Sequence, residues 1–185
     1  QGGALLKIAK RFWVMMLTVV AGIWIGGKIL IKSDMIFLTG LLGVLLCSYS
    51  LIGLTRYRIS GPNKSEFILS PIVGGISGIL TGLTGTFVIP GVLYLQSIGL
   101  DRNILIQTMG VLFSVSTLAL AVTLSHNNLF SLNIGVYSLG GVGPAIIGMI
   151  IGQKVRSNLS EKIFTRVFFA SLLLLGFYIT FRAFI

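Results

Sequence analysis

Gly78-Ile79-Leu80-Thr81-Gly82-Leu83-Thr84-Gly85-Thr86-Phe87-Val88-Ile89-Pro90-Gly91 sits inside an apolar run, Phe67 to Leu100, that holds no Asp, Glu, Lys or Arg. A bilayer core takes roughly 20 residues of helix, so a run of this length enters a membrane with residues to spare. Pro90 removes a backbone donor and disfavours a helical Ile89, and the spacing therefore predicts a helix that breaks between Gly85 and Gly91. Backbone that leaves helical geometry at membrane depth survives only where it is buried in protein or lines a wet cavity. A break here points to a site.

The flanks carry the same signal over the whole chain. Of 185 residues, 55% are hydrophobic and only 10% are charged, well short of the quarter that a soluble surface usually needs. Polar interruptions divide the apolar runs into six segments: A, Phe12 to Ile31; B, Met35 to Thr55; C, Phe67 to Ser97; D, Ile104 to Ser125; E, Leu132 to Gln153; and F, Ile163 to Phe184. All are expected to be helices, because lipid offers backbone groups no water and no alternating strands exist to close a barrel. Ser60-Gly61-Pro62-Asn63 and Ser125-His126-Asn127-Asn128 read as loops. A second break is expected at Gly140-Gly141-Val142-Gly143-Pro144 in segment E. The predicted fold class is all-α, a polytopic membrane helix bundle with broken helices.

Net charge is +10, from 14 Lys and Arg against 4 Asp and Glu. Such a balance can mark a nucleic-acid binder, but the basic residues sit where the apolar runs end, as interfacial anchors and orientation signals do. The partner that this placement implies is the lipid bilayer, and nucleic acid is excluded. If segment C crosses once, seven basic residues fall on each side. If C enters and returns, eleven (Lys7, Lys10, Arg11, Arg56, Arg58, Lys64, Arg102, Lys154, Arg156, Lys162, Arg166) face three (Lys28, Lys32, Arg182). The second arrangement obeys the positive-inside tendency, puts Gln1 and the E–F loop in the cytosol, and relates two halves by inverted topology.

An internal repeat supports two halves. Gly22-Ile23-Trp24-Ile25-Gly26 with Lys28 matches Gly148-Met149-Ile150-Ile151-Gly152 with Lys154, and after a one-residue insertion Ser33, Ile36 and Phe37 match Ser160, Ile163 and Phe164, with Asp34 opposite Glu161. Segments A and B thus read as a copy of E and F. On this reading residues 1–66 end a first repeat whose front is missing, and residues 67–185 form a complete second repeat, the second half of a duplicated transporter fold. The partner is then an absent N-terminal half or a second copy.

Candidate chemistry concentrates at the break. Glycines at four-residue spacing, Gly74, Gly78 and Gly82, suit close helix packing. From Gly82 onward the hydroxyls of Thr84 and Thr86 lie beside a break expected to free N–H donors, which favour anions at a helix start. Segment D adds Gln107, Ser114 and Ser116. The substrate-binding set is Gly82, Thr84, Gly85, Thr86, Pro90, Gln107, Ser114 and Ser116. Asp34, Glu66, Asp101 and Glu161 all lie at span ends, so no carboxylate serves proton or cation coupling within the spans. The single Cys47 excludes a disulfide framework and a multi-cysteine metal site. No catalytic residues, cofactor or metal are expected.

The glycine-proline stretch Gly78 to Pro90, the Gly99 turn and the Ser/Thr-rich segment D resemble the second signature of the sulfite exporter TauE/SafE family, also called the 4-toluene sulfonate uptake permease group. Gly148-x3-Gly152, a basic loop and a last apolar helix fit the same family. The resemblance takes in about Phe67 to Ile185, the C-terminal two-thirds, with Gly22 to Thr55 as the end of a first half. It implies a multi-pass protein of the inner (cytoplasmic) membrane that moves sulfite, sulfonates or related anions by alternating access. Many members carry three glycines before the proline, where this chain has Gly85-Thr86-Phe87. The alternatives are a non-transporting membrane scaffold and a transporter of another small anion.

Overall fold

The computed structural model describes residues 2–55, 66–87, 89–127, 129, 132–158 and 160–184. The expected loop Ser60 to Asn63 lies outside the described residues, as do Val88 and Asn128. Among the described residues seven helices follow in order: α1 (Gly2–Leu30), α2 (Met35–Thr55), α3 (Glu66–Thr84), α4 (Gly91–Ser97), α5 (Arg102–His126), α6 (Leu132–Asn158) and α7 (Glu161–Phe184). There is no strand among the described residues. All but α4 contain a stretch long and apolar enough to cross a bilayer. The chain is a polytopic helical membrane protein, and large apolar side chains such as Phe67, Leu139 and Leu174 face outward as lipid contact requires.

Close approach of backbones builds the main contact. Gly74 lies against Met15 and Thr18, Gly78 against Val19 and Gly22, and Gly82 against Ile23 and Gly26. Contact advances in the same direction along both helices, so α1 and α3 are parallel. A Cβ on Gly22 would stand 2.5 Å from the Gly75 carbonyl oxygen, and one on Gly82 would stand 2.6 Å from that of Ile23. Small residues are what permit this, since lipid supplies no hydrophobic force to push helices together and close packing must do it.

Helix α5 joins in the same sense. Gly27, near the end of α1, lies against Thr123 near the end of α5, and the Trp24 and His126 rings are 5.2 Å apart. Helix α4 runs the other way: Gly91 lies beside Ser77, while the Tyr94 hydroxyl is 2.7 Å from Ser70 Oγ and donates to the Glu66 carbonyl at 3.3 Å. Segment C therefore runs out as α3 and comes back along α4, the course that the second charge count assumed. Arg11 closes this end with a two-pronged pair to Glu66, both contacts at 2.7 Å. Between the ends, Phe12, Met15, Val19 and Ile23 of α1 pack with Phe87, Leu95 and Leu112 into one buried cluster.

A second pair stands beside this group. Gly43 of α2 lies against Gly176 and Thr180 of α7, and Gly53 lies against the Phe169 ring, so α2 and α7 are antiparallel. Helix α6 departs from expectation. It runs unbroken through Gly140 to Pro144, with the ladder losing the N–H that proline lacks. Residues 136 and 138–155 of α6 are exposed throughout.

Candidate functional site

Helix α3 ends where the sequence suggested, but with the opposite polarity. The Gly85 N–H donates to the Thr81 carbonyl at 2.8 Å, and Gly85 then turns with φ +73°. That left-handed conformation costs glycine nothing and a Cβ-bearing residue about 1–2 kcal/mol. Thr84 gives its hydroxyl proton to the Leu80 carbonyl (2.7 Å), so across the 2.9 Å gap between the two hydroxyls Thr86 is the donor. The Gly85 N–H is thus committed to α3 and that of Thr86 faces the Thr84 hydroxyl oxygen at 3.4 Å, whereas the start of α4 across the break carries no side-chain cap. Gly82 belongs to the ladder of α3 and to the α1 interface, and Gly85 caps a helix C-terminus, which presents carbonyls and not donors.

Beyond Gly85 the chain turns back toward its starting end. Phe87 is buried, with its ring 5.8 Å from Phe113 of α5 and nearly perpendicular to it. The Ile89–Pro90 peptide is cis, and no side chain caps α4 at Pro90. Gly91 is seated against the Phe87 ring and Ser77 Oγ, where a Cβ would fall 2.8 Å from the ring and 3.0 Å from the hydroxyl. Only a glycine lets α4 begin so close to α3.

On α5, Thr108, Leu112, Ser116 and Thr123 form a buried stripe at helical spacing. Thr108 and Thr123 donate to the carbonyls of Ile104 and Ala119, each at 2.7 Å. Ser116 Oγ is buried and has no partner among the described residues. Ser114 faces outward and donates to its own helix at Gly110 (2.9 Å), and Gln107 is half-buried. Of the residues singled out from sequence, Thr84, Gly85, Thr86 and Pro90 line the break and Ser116 points into the packed group.

One residue was missed. Ser77 is fully buried, and its Oγ likewise lacks a partner among the described residues. The signal was present as the face Ser70, Gly74, Ser77, Thr81, which recurs at helical spacing with small and hydroxyl side chains. Among the described residues no three His, Cys, Asp or Glu side chains gather as a metal site.

With this geometry in place, the family profile described as "Sulfite exporter TauE/SafE" matches residues 4–179. The match extends the likeness well beyond the C-terminal two-thirds, into α1 and α2, so the part before Phe67 is as much part of it as the part after. Comparison with curated proteins and with solved structures returns no match.

Proposed function

The chain belongs to the sulfite exporter TauE/SafE family, and from that membership we propose that it carries a small sulfur oxyanion, sulfite or an organosulfonate, across the cytoplasmic membrane by alternating access. The observation that carries this reading is the return of the chain inside α3 and α4. A span that ends at Gly85 and comes back beside Ser77 brings non-helical backbone and hydroxyls into a protein-lined position within the bilayer, where a solute can exchange water for protein donors. The path runs past the Thr84–Thr86 turn, the Pro90 break, Gln107 and Ser116. Gly82 contributes through helix packing. Ser114, exposed and bonded to its own helix, is left out of the path.

The Arg11–Glu66 end is the cytosolic one, by the excess of basic residues at that face. The protein works as two inverted repeats. Helices α1 and α2 correspond to α6 and α7, and α6 docks a glycine-striped helix equivalent to α3, supplied by the front of the first repeat. Radiolabelled sulfite flux into vesicles made from cells expressing the natural gene tests the transport reading. Expected is saturable flux above that of vesicles lacking the protein, and flux equal to that background overturns it.

A further inference from the structure

Two buried hydroxyls without partners are costly in a bundle this apolar. A buried hydroxyl denied a hydrogen bond keeps its desolvation cost uncompensated, and among the described residues every other buried hydroxyl has a bond: Ser50 to Leu46, Thr81 to Ser77, Thr108 to Ile104 and Thr123 to Ala119, while Ser70 meets Tyr94. Ser77 and Ser116 stand apart from this habit. A hydroxyl in a membrane helix commonly turns back to the carbonyl one turn earlier, as Ser50, Thr81, Thr108 and Thr123 do, and Ser77 and Ser116 leave that bond unmade.

Their depth is the second observation. Gly27 of α1 lies against Thr123 of α5, and about two turns back along these parallel helices Ser116 comes level with Val20. Gly78 of α3 lies against Val19 and Gly22, so Ser77 is level with the same part of α1. Val20 is midway along the Lys10–Leu30 span. Both hydroxyls therefore sit near the centre of the bilayer, on the two helices that flank the break, with Ser77 touching the start of α4 and Ser116 one turn beyond the Leu112 and Phe113 contacts to Phe87.

Charge at this depth is the third. On the elements packed around the pair, the described ionisable groups lie toward the ends: Lys10, Arg11 and Lys28 on α1, Glu66 on α3, Tyr94 on α4, and Asp101 and His126 at the two ends of α5. A mid-membrane site made of neutral donors has no full charge with which to offset that of its ligand. The cost of taking an ion from water rises steeply with its charge, as the square in the simplest continuum picture, so such a site tolerates one negative charge far better than two.

We propose that the hydroxyls of Ser77 and Ser116 are direct donors to the oxygens of a substrate held at mid-membrane, and that this site accepts singly charged oxyanions, hydrogensulfite or an alkanesulfonate, and discriminates against dianions. The proposal rests on the transporter reading above and names its substrate form and two of its contacts. In the present conformation both hydroxyls are sealed from either face. Substrate reaches them when α4 shifts away from Ser77, and Gly91 is the contact that must part.

Ligand-dependent thermal stability of the purified full protein tests this, with methanesulfonate, sulfite and sulfate as probes. Methanesulfonate is expected to raise Tm at all pH values. Sulfite should do so increasingly as pH falls through its second ionisation, and sulfate little. Ser77→Ala and Ser116→Ala each remove an unsatisfied buried group, so without ligand their Tm should stay level or rise. Each should nonetheless bind methanesulfonate about tenfold more weakly, the loss of one bond to a charged acceptor. Ser77→Thr and Ser116→Thr, which keep the hydroxyl, serve as the second pair and are expected to retain more of the affinity than the alanines. Alanine variants that bind with wild-type affinity overturn the assignment while leaving the transporter reading standing, and sulfate binding as tightly as methanesulfonate overturns the charge selectivity. A wild-type protein that no probe stabilises and that shows no sulfite flux sinks both readings together.

Discussion

Gly85 shows how one residue type decides where a transmembrane helix stops. Both Gly85-to-Gly91 and Gly140-to-Pro144 combine glycine with proline, and sequence alone gave them the same reading. They diverge because Gly85 adopts φ +73° and sends the chain out of the helix, whereas Gly140 and Gly141 remain helical and Pro144 merely drops one bond. The sign of φ is set by what the following residues can pack against, and Phe87 finds Phe113 and the α1 cluster. No periodicity in the sequence carries that information. Gly85→Ala is expected to lower the stability of the purified protein by about 1 kcal/mol, from the left-handed backbone alone, since no atom lies within 4 Å of the added Cβ. Gly85→Asn should cost less, asparagine being more at ease in that region. Equal losses from alanine and asparagine in thermal unfolding would remove backbone strain as the cause. Thr86→Val is expected to cost about 1 kcal/mol as well, because the Thr86 hydroxyl donates to Thr84. A valine variant of undiminished Tm would show that this bond contributes nothing.

At the scale of helices, the spans were legible and their contacts were not. Length and hydropathy give six apolar segments, and among the described residues six helices are long and apolar enough to span, because lipid leaves a long apolar run no other choice. Which helix touches which depends on side chains that say little to a hydropathy reading. The glycines Gly74 and Gly78, read from sequence as packing residues, do pack, and Gly82, read as a substrate contact, packs with them against α1. The candidate site was half legible for a related reason: hydroxyls beside a proline break are conspicuous in sequence, but whether a hydroxyl is tied to its own helix or left free is settled only in three dimensions. Thr84 and Ser114 prove tied, Ser116 free, and Ser77 passed unnoticed inside a glycine stripe. Gly78→Leu should force α1 and α3 apart, because the new side chain would meet the backbone of Val19 and Gly22, which cannot rotate aside. A loss of about 3 kcal/mol is expected, toward the upper part of what overpacking costs. Gly110→Leu on α5, where no atom lies within 4 Å of a Cβ, is the control and should leave unfolding unchanged. Similar losses for the two would mean that the glycine stripe does not hold the helices together.

For the whole molecule the repeat and the contacts make one demand. On the proposed repeat that pairs Gly22 with Gly148, four of the α1 residues facing α3, Met15, Val19, Gly22 and Gly26, correspond to Gly141, Ala145, Gly148 and Gly152 of α6. That stripe is smaller than its counterpart and would allow closer approach still. Yet among the described residues nothing outside α6's own backbone lies within 4 Å of a Cβ at Gly141, Gly148 or Gly152. Helices α2 and α7, the other pair that the proposed repeat would make equivalent, meet antiparallel, as that proposal requires of elements lying on the axis between inverted repeats. Under that proposal, a helix equivalent to α3 would dock against α6. Among the described residues nothing lies near a Cβ at Gly148, so a lipid-facing α6 would make Gly148→Leu silent, leucine being at home in hydrocarbon. In the protein expressed from the natural gene, the docked arrangement instead gives Gly148→Leu a loss of stability comparable to that of Gly22→Leu, about 3 kcal/mol, together with loss of sulfite flux. Thermal unfolding and flux measured side by side for the two variants decide the matter. A Gly148→Leu protein as stable and as active as wild type would place α6 against lipid and leave the inverted-repeat reading without its second interface.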